Sequence, residues 1–405
     1  MRPSASRPRR SLTAAVAALV IVTSLTAPTA GAAPAASGQT APRWSGLDTR
    51  HWDRTIPAPG ATAVTVPLED SLALPEAGRA VRSAYGTIDQ HGSPAIATSA
   101  VFLPHGTPPP GGWPVVAWAH GTTGLGDDCA PSTHPRSERD AEYLGHWLRQ
   151  GYAVVAADYV GLGTPGLLSY LNGQVAARGI IDAVIAARAD GLPLSPTWAA
   201  VGQSQGAGAA LVTATRATEL GAPSGLDFRG VVATGAPANL EHLFQWGGPG
   251  FPPVSLPTGL NLYALYILAG LRDQHPEVGL DAFLTPRGRE MVDAAEHLCY
   301  EDMRDAVGDF QVSQALTRPV RDIPDVFGLL QRYMGTPATG YDRPVFLGQG
   351  LLDLDVPAPS ALSLAAEMTL NRQPLELHVY PDRDHSGTVY AAIPDATAFL
   401  SRVMR

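Results

Sequence analysis

Ser204 stands at the centre of Gly202-Gln203-Ser204-Gln205-Gly206, between the apolar run Trp198-Ala199-Ala200-Val201 and the small-residue run Ala207-Gly208-Ala209-Ala210. A serine hydroxyl is a weak nucleophile until a base takes its proton and an acid orients that base. The G-x-S-x-G spacing suits a sharp turn from a strand into a helix, where the flanking glycines let the two elements pass closely. The hydroxyl then stands clear of the sheet, beside the positive end of the helix. A serine that merely caps a helix would show the same five residues. The rest of the chain must therefore supply its partners.

Two later segments do so. Pro381-Asp382-Arg383-Asp384-His385-Ser386-Gly387 follows an apolar strand-like stretch, 375–380, and precedes a final helix expected from about 394 to 403. His385, in the polar loop between them, is the expected general base. Gly348-Gln349-Gly350-Leu351-Leu352-Asp353-Leu354-Asp355-Val356-Pro357 follows the strand before that. An aspartate there can hold the second ring nitrogen of the histidine and so turn the proton-accepting tautomer toward the serine. The spacing favours Asp353, leaving Asp355 to cap the loop, with Asp382 and Asp384 as alternatives close to His385.

An oxyanion formed at Ser204 needs donors. The N–H of Gln205 is one, and the loop Ala119-His120-Gly121-Thr122-Thr123-Gly124 offers Thr122, or Thr123, as the other. His120 is expected to brace that loop through its ring nitrogens. Tyr159, in the glycine-rich segment 158–166, is expected to hold its turn together or to border the pocket. The chain order Ser204, Asp353, His385 is that of α/β-hydrolases and of neither serine-protease order.

The elements that position these residues alternate. Stretches 79–87 and 94–103 read as a hairpin, and 114–119 and 152–157 as short buried strands. Segments 138–150 and 171–188 carry apolar residues at helical spacing, and 228–234, 344–348 and 375–380 continue the strands, with a helix over 359–369. This predicts an α/β fold of the α/β-hydrolase type: a mainly parallel sheet opened by an antiparallel hairpin. The rhythm breaks over 237–341, too long for a plain crossover. That stretch is expected to be a mostly helical cap, or lid, inserted into a core of 47–236 and 342–405. Phe244, Trp246, Phe251, Tyr263, Tyr266 and Phe310 are candidates either for an apolar substrate channel or for the cap's own core.

Arg2, Arg7, Arg9 and Arg10 precede an apolar stretch from Leu12, which gives way to small residues. This reads as an export signal over 1–32, cleaved after Ala32, with a flexible start to the mature chain over 33–46. A secreted, extracellular protein is expected, without a transmembrane anchor. In that oxidising setting the two cysteines, Cys129 and Cys299, are expected to form a disulfide. The net charge of −9 and the lack of a basic cluster beyond the leader disfavour nucleic acid and anionic membranes as partners. No zinc-type spacing appears, so neither a metal nor a cofactor is expected. The oligomeric state is open, and a monomer fits.

Together these residues make the chain resemble the secretory lipase family of serine esterases found in fungi and actinobacteria, within the α/β-hydrolase superfamily. The resemblance runs through the hairpin, the His120 loop, 158–166, the Ser204 turn, the long cap, Asp353 and His385. It implies hydrolysis of acylglycerols or simpler esters, with Ser204 as nucleophile, Asp353 as acid and His385 as base. The expected partner is an apolar acyl ester, acting at a lipid–water interface or in solution. A short-chain or aromatic esterase or acyltransferase is the nearest alternative, and a non-catalytic binding protein on the same fold is one of a different class.

Overall fold

A computed structural model of the chain describes residues 41–249 and 255–405. The expected leader, its cleavage site and Phe251 lie outside the described residues. The expected flexible start is described only from residue 41, and there Arg43 N donates to Thr133 O (2.7 Å) and Ser45 N to Glu69 (3.0 Å).

The sheet opens with three antiparallel strands: β1 (Thr62–Pro67), β2 (Ala77–Ile88) and β3 (Pro94–Pro104). Then come β4 (Trp113–Ala119), α1 (Glu138–Arg149), β5 (Ala153–Ala157), α2 (Gly173–Ala189), β6 (Leu194–Gln203), α3 (Gln205–Gly221) and β7 (Asp227–Thr234). Helices α4 (Glu241–Phe244), α5 (Thr258–Gln274), α6 (Pro286–Ala295), α7 (Tyr300–Val307) and α8 (Val326–Met334) follow before the sheet resumes with β8 (Val345–Gly350). The chain ends with α9 (Pro359–Leu370), β9 (Leu375–Tyr380) and α10 (His385–Val403). The nine strands are ordered β1-β2-β3-β5-β4-β6-β7-β8-β9, and from β5 to β9 every neighbouring pair is parallel. This is the α/β-hydrolase type of fold, with a helical cap set between β7 and β8.

Strands β4 and β5, at the centre of the sheet, are apolar throughout because both of its faces are covered there. Successive side chains of a strand point to opposite faces. Val115, Ala117 and Ala119 of β4 accordingly join the layer that includes α2 and α3, whereas Val116 and Trp118 join the one that includes α1 and α10. Helix starts follow local chemistry: Ser137 accepts a hydrogen bond from Asp140 N before α1, and Asn172 from Val175 N before α2.

Three elements differ from the sequence reading. Strand β1 went unrecognised, since six alternating residues ending in proline give a faint signal, and it pairs with β2 alone. Strand β6 begins at Leu194, upstream of Pro196. A register shift opposite Trp113 and Val115 accommodates that proline. The last helix starts at His385, with Pro394 inside it, so His385 lies on a helix and not in a polar loop. Asp384 is the reason: its carboxylate accepts from Gly387 N at 2.7 Å and caps the new helix.

Cys129 and Cys299 are joined by a disulfide, with Cα atoms 5.3 Å apart. It ties the loop after β4 to the start of α7. Alongside it, Tyr300 N donates to Thr123 O at 2.9 Å, and Gly124 pairs with Cys299. The bridge closes a loop of 170 residues, and losing a native disulfide costs about 2–5 kcal/mol. The Cys129→Ala/Cys299→Ala variant should therefore melt well below the parent in a thermal scan. An unchanged melting temperature would show that the neighbouring backbone bonds alone hold the cap to the β4 loop.

Candidate active site

Strand β6 ends at Gln203 and α3 begins at Gln205, so Ser204 takes the whole reversal at φ 59°, ψ −127°. That region is costly for a residue with a Cβ, by about 1–3 kcal/mol, and persists only where the surroundings over-determine it. Here a Cβ on Gly202 would run into Gly206 O, and one on Gly206 into Ala119 O. The strand, the helix and the β4 loop thus meet backbone to backbone around the serine. Ser204 N donates to Thr234 O at 3.0 Å, which fastens the turn to β7.

His385 is brought to the serine by the cap of α10. Its Nδ1 donates to Asp353 Oδ2 at 2.6 Å, and both side chains are buried. Asp353 follows β8 and is itself fixed: Oδ1 accepts from Asp355 N (3.0 Å) and Val356 N (2.8 Å), while Gln349 Nε2 approaches Oδ2 at 3.4 Å. With Nδ1 carrying the proton, Nε2 presents a lone pair. Gly235, at φ 60° after β7, makes room for the pair, since a Cβ there would lie 2.9 Å from His385 Cε1.

The alternatives for the acid are otherwise engaged. Asp384 caps α10, Asp382 lies beside Arg383 at 3.5 Å, and Asp355 takes a hydrogen bond from Tyr263 OH at 2.9 Å instead of capping its own loop.

Two residues near this centre were not singled out in the sequence: Gly235, described above, and Gln203. The Gln203 side-chain Nε2 lies 2.8 Å from His385 Nε2. No hydrogen bond joins the Ser204 hydroxyl to another group among the described residues. Position 203 falls within the recognisable motif, but its residue type carried no signal of a contact with a histidine far along the chain.

Gly121 lies against the serine, for a Cβ there would be 3.6 Å from Ser204 Cβ. Thr122 follows directly, its hydroxyl bonded to Tyr170 OH at 2.7 Å. Thr123 is tied to the cap through its carbonyl. The N–H of Gln205, at the first position of α3, belongs to the unpaired donors of a helix start. His120 braces the loop through one ring nitrogen only: Nδ1 bonds Gly121 O at 2.7 Å, and the ring stacks on Tyr159, while Nε2 has no partner. Burial holds the His120 pKa below its ordinary value, so the ring is neutral at pH 7. Tyr159 is buried and donates to His120 O at 3.0 Å.

Ser204 opens into a cavity of about 250 Å³ whose apolar wall includes Leu240, Leu243, Phe244, Ile267, Leu316 and Val320. Of the aromatic channel candidates, Phe244 and Tyr263 line it. Trp246 stands half exposed under Arg321, Tyr266 is buried against Tyr170, and Phe310 packs on the core. Among the described residues no cluster of His, Cys, Asp or Glu is arranged to hold a metal, and no helix is long and apolar enough to cross a membrane.

A serine on a strained strand-to-helix turn, beside a histidine–aspartate pair in this chain order and on this sheet, defines the class: a serine hydrolase of the α/β-hydrolase type. Residues 137–334 match the secretory lipase family. Comparison with curated protein sequences finds no match. Among solved structures the chain is similar to Candida antarctica lipase A in its closed state, with a TM-score of 0.69 at 19% identity over 86% of this chain and 82% of that one. It is also similar to the rice cell wall degrading esterase LipA from Xanthomonas oryzae, with a TM-score of 0.65 at 22% identity over 86% and 98%. The chain thus shares the α/β-hydrolase fold of these structures, and its middle part matches the secretory lipase family.

The strain at Ser204 is testable without a substrate. Glycine adopts positive φ freely, so Ser204→Gly should be more stable than Ser204→Ala by about 1 kcal/mol, against the usual order in which glycine costs stability. Denaturant midpoints decide it. A more stable alanine variant would mean that the turn is unstrained.

Proposed function

We propose that the protein is an exported serine carboxylic-ester hydrolase, a lipase that acts on acylglycerols or other esters with an apolar acyl group. The observation that carries this reading is the 2.6 Å bond from His385 to Asp353, together with Ser204 in the lining of an apolar cavity. Ser204 is the nucleophile, His385 the general base and Asp353 the acid that holds its tautomer. His385 Nε2 takes the Ser204 proton as Oγ bonds to the ester carbon. The N–H groups of Gln205 and Thr122 stabilise the oxyanion. The alcohol leaves with the proton from His385, giving the acyl-enzyme. A water molecule then surrenders a proton to His385 and attacks the acyl carbon, and the acid is released as the acyl–Oγ bond breaks and His385 returns the proton to Ser204.

The cap, 237–341, supplies most of the apolar wall, which supports an aliphatic acyl chain over a small anionic substrate. The basic, apolar start of the sequence supports secretion. One observation favours a second reading, a short-chain esterase: the cavity, at about 250 Å³, is smaller than the roughly 300–1,000 Å³ of most ligand sites.

Hydrolysis of p-nitrophenyl esters from acetate to palmitate separates the two. A maximum at long chains, with activity on emulsified triglyceride, supports the lipase; a maximum at butyrate or shorter supports the esterase. Ser204→Ala should lower kcat at least about 10⁴-fold, and Asp353→Asn, which holds the opposite tautomer, by a similar factor. No ester hydrolysis above the Ser204→Ala control would overturn both readings.

A further inference from the structure

We propose that Gln203 is a positioning residue for the base: its carboxamide holds Nε2 of His385 in the resting site and competes there with the Ser204 hydroxyl. The inference rests on the assignment of His385 as base and adds a residue to it. Asp353 receives the Nδ1 proton, so Nε2 can only accept. Its partner at 2.8 Å is the Gln203 amide nitrogen, a donor, and Gln203 is buried with 2% of its surface exposed. One lone pair accepts one well-formed hydrogen bond, and among the described residues the serine hydroxyl makes none.

The arrangement has a physical use. An unpaired ring nitrogen on a buried histidine is costly and leaves the ring free to tilt. Gln203 satisfies it, and because it adjoins Ser204 in the chain it does so within reach of the nucleophile. Acylation must then exchange one donor for the other. The Gln203 bond breaks, the Ser204 proton passes to Nε2 as Oγ bonds to the acyl carbon, and Nε2 becomes a donor. The glutamine donor, whose oxygen faces Gly121, meets only the neutral ring. Methionine can meet neither state, and glutamate only the protonated one.

The ionisable groups around His385 are few. Asp353 is bonded to it, Arg383 and Asp384 flank it in the chain with Asp384 committed to Gly387 N, and Arg139 of α1 reaches Ser386 at 3.4 Å. All are the same in each variant, so a change in pH profile reports on position 203.

The experiment measures kcat/KM for p-nitrophenyl butyrate from pH 5 to 10 in the wild type, Gln203→Met and Gln203→Glu, with thermal melts as a check on folding. Gln203→Met, freed of the competitor, should be faster at pH 8 by about fivefold, the effect of losing one neutral hydrogen bond. Gln203→Glu, by stabilising the imidazolium, should move the acid limb to higher pH by about one unit or more. An acid limb for Gln203→Glu that superimposes on the wild type, or a folded Gln203→Met no faster than the wild type, overturns the proposal. Where Gln203→Met fails to fold, the isosteric Gln203→Glu decides alone. Titration of ¹⁵N-labelled His385 by NMR reads the same shift without a substrate. That shift between Gln203→Glu and a wild type that shows no Ser204-dependent turnover would sink the ester-hydrolase reading and leave the Gln203 contact standing.

Discussion

Everything at this site depends on one backbone reversal. Ser204 sits at φ 59° because β6, α3 and the loop after β4 crowd one another there, and Gly202 and Gly206 are the two positions at which a single methyl group would push them apart. The same closeness that strains the serine brings Gly121 against it and sets the first turn of α3 beside its hydroxyl. The strain is therefore repaid by the packing of the central sheet, whose strands are buried on both faces. A looser core would let the turn relax, and the hydroxyl would lose its place relative to His385.

The partners of the serine come from far along the chain and are fixed by ordinary local chemistry. Asp353 is held by two backbone N–H groups of its own loop, and His385 by the capping of α10 through Asp384. Gly235 lets the two approach the end of β7. The cap is joined to this machinery by more than proximity. The Cys129–Cys299 bridge and the Tyr300 N–H bond to Thr123 O fasten α7 to the segment that carries Thr122. Movement of the cap and the geometry of that loop are consequently linked, while Leu240, Phe244 and Ile267 shape the apolar space above the serine.

Much of this was legible in the sequence. The pentapeptide around Ser204, the strand-ends before Asp353 and His385, and the alternation of strands and helices are local patterns with local causes, and the hairpin of β2 and β3 is signalled by the turn residues between them. What was not legible was decided by contact between distant segments. Strand β1 exists because β2 offers an edge. Pro196 is tolerated because β4 and β6 shift register around it. His385 begins a helix because Asp384 can cap it, against the expectation that Pro394 marks the start. Tyr266, a candidate for either the channel or the cap core, is buried against Tyr170, whereas Gln203 touches the histidine although nothing in its residue type announces it.

The central claim is that Ser204 is the activated hydroxyl of this fold. Labelling the intact protein with a fluorophosphonate, followed by mass mapping of the modified peptide, tests it most directly. The account predicts a single adduct on Ser204 that is lost in His385→Ala, since without the base the hydroxyl is an ordinary alcohol. Labelling at another serine, or equal labelling of Ser204 with and without His385, would contradict it.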